Sequence, residues 1–116
     1  MHYRLLHPNE YLCAADLHGK DVTLTISALK QEVLRTEGGD EDRWVMYFKE
    51  MEGRPEKEKK RLVLNKTNAT TISHLHGKET DGWIGKPITM YPTNTKAFGE
   101  IVECIRVRDR VKARPV

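Results

Sequence analysis

Aromatic rings are scarce in this chain, eight in 116 residues. Cysteine is scarcer still: Cys13 and Cys104 alone, far apart in sequence, exclude a disulfide-dense scaffold and leave reduced thiols as the expectation. No run of about 18 apolar residues occurs, and the first residues lack the apolar core of an export signal, so neither a membrane helix nor secretion is expected. A glycine-rich phosphate loop and a serine elbow are absent as well. His74 and His76 stand two apart, which on a helix turns them to different faces, and neither a C-x-x-C nor an H-x3-H pairing supplies zinc-ligand spacing. Asp40, Glu41 and Asp42 lack the spaced pattern and terminal Glu of a calcium loop. Cys104 has basic neighbours but no base that could activate it. These absences argue against an enzyme, a metal centre or a bound cofactor.

What the chain does have is charge, 32% of its residues, unevenly placed. Residues 1–58 carry eight Lys and Arg against twelve Asp and Glu, whereas residues 59–116 carry twelve against five. An acidic region and a basic region therefore share one small domain, the number that 116 residues can support.

Short elements follow in a definite order. Residues 9–18 read as a helical turn capped by Asn9 and ended by Gly19. Val22, Leu24 and Ile26 alternate with Thr23, Thr25 and Ser27, the period of a half-buried strand, and a weaker pattern continues it from Leu29 to Leu34. After the polar stretch 37–42 comes a second strand, 43–49, and after a charged turn a third, 61–64. Asn65 or Thr67 can cap a helix with Ala69, Ile72 and Leu75 at helical spacing, and Gly77 stops it. A fourth strand spans 87–91, a turn 92–99, and a fifth strand 101–108. This β-β-β-α-β-β order predicts a mainly β fold: a single five-stranded, OB-fold-like Greek-key barrel over residues 1–108, its helix between strands 3 and 4. Residues 109–116 form a basic C-terminal tail. An SH3-like barrel is the alternative architecture.

Several stretches resemble a family of small phage- and prophage-encoded proteins of largely unknown function. They are 14–22 (AADLHGKDV), 64–69 (LNKTNA), 81–86 (DGWIGK), 91–93 (YPT) and 105–108 (IRVR). The resemblance covers most of the chain from Tyr11 to Arg108. It implies a viral or prophage origin, and with it the cytoplasm of a bacterial host cell, but brings no catalytic motif.

Function has to be read from the residues. Arg106, Arg108, Arg110, Lys112 and Arg114 occupy every second position. In an extended chain rising ~3.3 Å per residue they would share one side, matched to a backbone with one phosphate per ~3.4 Å along each DNA strand. Solubility of an edge strand, or an acidic protein partner, would use the same stripe. On the second strand Trp44, Met46 and Phe48 are the core candidates, leaving Val45, Tyr47 and Lys49 outward. On the third, Leu62 and Leu64 go inward and Arg61 outward. The outer set suits single-stranded nucleic acid, which needs a ring for base stacking beside cations for phosphates. Trp44 would stack equally well if the two faces were reversed. Lys96 and Phe98, in the turn before the last strand, complete the candidate site, with Phe98 either an exposed stacking ring or a lid folded onto the barrel. The expectation is a non-enzymatic binder, preferably of single-stranded DNA, in phage or prophage DNA metabolism. The alternative is a phage-encoded protein-binding factor, an inhibitor or adaptor of a host defence or replication complex, using the acidic first half as a nucleic-acid mimic.

Overall fold

The structure, a computed structural model, describes residues 11–36, 38–55, 59–97 and 99–111. Among these residues five strands form one antiparallel sheet: β1 (Val22–Thr36), β2 (Gly39–Phe48), β3 (Leu62–Val63), β4 (Pro87–Ala97) and β5 (Glu100–Val107). Their order across the sheet is β3-β2-β1-β4-β5. Among the described residues there is one α-helix, α1 (Lys66–His76), which follows β3 in the chain, and 3-10 turns occupy Ala14–Leu17, Lys49–Met51 and Thr80–Trp83.

β1 serves both halves of the sheet. Its start, Val22–Thr25, pairs with β4, and the remainder pairs with β2. Where the two ladders meet, Ile26 faces Phe48 and Ala28 faces Tyr47, so Ser27 is an extra residue on β1. Such a bulge inverts the alternation of faces. Leu24 and Ile26 are buried in the core before it; after it the odd-numbered Leu29 packs on that core, and Ala28, Lys30 and Glu32 turn outward.

α1 forms where its caps dictate. The Asn65 side chain accepts a hydrogen bond from the Asn68 N–H at 2.8 Å, and Gly77, at φ 94°, leaves the helix in a conformation that a side chain would strain. Ile72 is fully buried, with Ala69 and Leu75 packed beside it. Trp83, buried, donates its indole N–H to the Gly77 carbonyl at 2.8 Å, while the His76 ring bonds the Pro87 carbonyl at 2.7 Å. The helix end is thereby pinned to the start of β4.

Closure of the sheet into a barrel is not made by strand pairing. Among the described residues no ladder joins β3 to β5. The seam is occupied by other groups. The Leu12 N–H donates to the Arg61 carbonyl at 2.7 Å, and Tyr11 bridges Arg61 in parallel. From α1, buried Asn68 donates to the Ile105 carbonyl at 3.0 Å and accepts from the Val107 N–H at 3.2 Å.

Several sequence expectations need correction. Trp44 shares the inner face with Met46 and Phe48, yet it is 49% exposed, because β2 has run past the core there. Val45, expected outward, does face outward but is fully buried. The stretch 92–99 is not one long turn: β4 continues through Pro92 to Ala97, paired with β5. Proline is tolerated because β4 has by then passed its ladder with β1, which ends at Met90. The N-terminal turn is one 3-10 turn, ended by left-handed His18 at φ 53° as well as by Gly19; Asn9 lies outside the described residues. Finally, β5 ends at Val107 and the chain bends after it, so the alternating basic residues do not form one extended stripe through Arg110.

Candidate nucleic-acid interface

The outer face of β1, β2 and β3 holds a groove of about 410 Å³ whose lining includes Lys30, Tyr47, Lys59, Lys60 and Arg61. The bulge at Ser27 turns Lys30 and Glu32 to this face, directly opposite Val45 and Arg43 of β2. Tyr47 is half-buried between two cations, with the Lys30 ammonium 4.8 Å and the Arg61 guanidinium 5.2 Å from its ring centre. Arg61 also stands 5.9 Å from the Tyr11 ring. Cations at such distances are attracted to the ring face.

Two carboxylates hold this arrangement in place. Glu32 accepts the Tyr47 hydroxyl and pairs with Arg61 at 3.5 Å. Burial, followed by that bond to Glu32, raises the Tyr47 phenol above its ordinary value, so the ring is neutral at physiological pH. Asp16 pairs with Lys60 at 2.7 Å and also accepts from the Cys13 N–H and thiol at 2.9 and 3.3 Å. Burial pushes the Asp16 carboxyl up, but the bonds from Lys60 and Cys13 together outweigh it and leave the group below its ordinary range.

Of the candidates named from sequence, the structure brings Tyr47 and Arg61 together. Lys49 is exposed in the turn after β2 and does not line the groove. Lys96 is exposed on the β4–β5 ribbon opposite Ile101. Arg106, on β5, lies opposite Tyr91 of β4, and β4 separates it in the sheet from the three strands of the groove. Arg108 is engaged within the fold: two hydrogen bonds reach Asp21 at 3.1 and 3.2 Å, and the guanidinium lies 3.7 Å from the Tyr91 ring centre. The bond to Asp21 raises its already high pKa further. Arg110 is exposed. Phe98, Lys112 and Arg114 lie outside the described residues.

Sequence reading missed Lys30, Glu32, Lys59 and Lys60. A one-residue skip in the alternation after Ile26 was the available signal for Lys30 and Glu32. Trp44 lines a separate groove of about 380 Å³ with Leu29, Thr80, Asp81 and Ile84. Among the described residues no cluster of three His, Cys, Asp or Glu could hold a metal ion, and no helix is long and apolar enough to cross a membrane. The chain matches no family model, no curated protein and no solved structure.

Proposed function

We propose that this chain is a non-enzymatic nucleic-acid-binding protein that holds single-stranded DNA on the outer face of β1, β2 and β3. The observation that carries the reading is Tyr47 lying between Lys30 and Arg61 in a groove also lined by Lys59 and Lys60. Bases stack on rings and guanidinium planes irrespective of sequence, and the ammonium groups meet phosphates. The fold supports it too. With β1 shared by two ladders and α1 and Asn68 set at the β3–β5 seam, the sheet reads as an OB-fold-like barrel left partly open. On that fold this face is the usual one for single strands. A setting in phage or prophage DNA metabolism rests on the sequence resemblance alone.

The test is fluorescence anisotropy of a labelled oligothymidylate, with a duplex and an RNA in parallel, across a salt series. Single-strand affinity should exceed duplex affinity, and log Kd should change with log salt by about 0.7 per phosphate contacted. Equal or tighter binding to duplex would move the site away from a stacking groove.

One observation favours the second reading, a protein-binding factor. The tip of the β1–β2 ribbon carries exposed Asp40, Glu41 and Asp42, and Val33 near it is 62% exposed. Negligible nucleic-acid affinity at low salt, with a stoichiometric protein partner in pull-downs, would establish that reading instead.

A further inference from the structure

Glu32 has an unexpected partner. Its cross-strand neighbour on the same face is Arg43, the natural ion-pair partner for an antiparallel ladder. Arg43 instead approaches Glu41 at 3.6 Å, and Glu32 reaches the Tyr47 hydroxyl on β2 and, beyond that strand, Arg61. A carboxylate thus sits at the cation and the ring that the nucleic-acid reading assigns to phosphate and base. Neither side chain of the pair is deeply buried, with 25% of Arg61 and 24% of Glu32 exposed, so the contact can exchange with solvent and with other anions.

We propose that Glu32 is a built-in competitor for the phosphodiester backbone: it occupies Arg61 in the free protein and is displaced when a strand enters the groove. This rests on the reading of the groove as a single-strand site and adds how that site is regulated. Binding requires an exchange of one anion for another at Arg61. The carboxylate therefore weakens every strand about equally and favours ligands that present phosphate together with a stacking base. A lone phosphate would gain only the exchange, whereas a nucleotide strand adds the contact with Tyr47. Glu32 also keeps Arg61 ordered over the ring when the groove is empty.

Glu32→Gln tests this with little change of shape, since the amide oxygen still accepts the Tyr47 hydroxyl while the charge is removed. With an oligothymidylate of about fifteen residues as the probe, Glu32→Gln should bind about two- to fivefold tighter than the unaltered protein, the scale of one exposed ion pair. Its log–log salt dependence should stay close to that of the unaltered protein, because Arg61 meets the same phosphate in both complexes and only the competition for it is removed. In an Arg61→Gln background the same change should bring no gain, because the competitor has lost its target. Equal or weaker binding by a folded Glu32→Gln protein would overturn this proposal and leave the nucleic-acid reading standing. No binding by either protein at low salt would overturn both. A second readout uses the unaltered chain: the Arg61 side-chain N–H resonance in NMR should shift on adding the oligothymidylate, and an unmoved resonance at saturation would equally refute displacement.

Discussion

Asn68 offers the sharpest test of how the open sheet is held. It is 1% exposed, and its side chain satisfies both the Ile105 carbonyl and the Val107 N–H of β5, where a neighbouring strand would otherwise have paired. Asn68→Ala leaves two backbone groups without these partners, at the start of a helix whose propensity alanine would otherwise improve. A buried polar group left unpaired costs about 1–3 kcal/mol, so the pair should cost about 2–6 kcal/mol. Water has some access through the adjoining cleft of about 260 Å³ lined by Leu12, Cys13 and Cys104. The lower end of that range, about 2–3 kcal/mol, is therefore expected, a fall in Tm of roughly 10 °C for a domain of this size. Urea unfolding followed by circular dichroism measures it, and hydrogen exchange at Val107 should accelerate in parallel. Asn68→Asp keeps the acceptor for Val107 but sets a carboxylate against the Ile105 carbonyl. That variant should be the less stable at neutral pH and recover as acid protonates it, since the neutral carboxyl can donate. A loss below about 0.5 kcal/mol for Asn68→Ala, with Val107 protection unchanged, would refute the role given to Asn68.

Other substitutions separate stability from binding. Tyr47→Ala should weaken single-strand binding by about 1–3 kcal/mol, the worth of one stack, in an anisotropy titration. Trp44→Ala, at a half-exposed site, should cost less than the ~3–5 kcal/mol of a buried aromatic and leave oligothymidylate affinity unchanged. Arg108→Gln should lower Tm, through loss of Asp21 and Tyr91, with little effect on affinity. The Asp16 carboxyl is held below its ordinary value of 3.8, so its stabilising contribution is complete above that value and disappears as pH falls through the lower folded-state pKa. Acid unfolding of Asp16→Asn should accordingly be less steep in that window.

Much of the fold could be read from local chemistry. Val22, Leu24 and Ile26 announced β1, and Asn65 with Gly77 bracketed α1, because alternation and caps are encoded within a few residues. What escaped was non-local. The parity change at Ser27 is visible only when β1 is laid against Phe48 and Tyr47, so Lys30 and Glu32 went unnoticed as partners of Tyr47. Pro92 read as the end of a strand because its tolerance depends on where β1 stops pairing with β4. Trp44 looked like core because composition does not tell how far a strand outruns its neighbours. The alternating arginines were plain in the sequence, yet Asp21, distant in the chain, claims Arg108.

NMR mapping of backbone amides during an oligothymidylate titration shows whether the outer face of β1, β2 and β3 holds single-stranded nucleic acid. Saturable shifts are expected at Lys30, Glu32, Tyr47 and Lys59 to Arg61, with the Trp44 groove and the β4–β5 ribbon left unmoved. Shifts centred on Trp44 and Ile84, or on Arg106 and Arg110, would contradict that placement, as would a spectrum that the strand does not change at all.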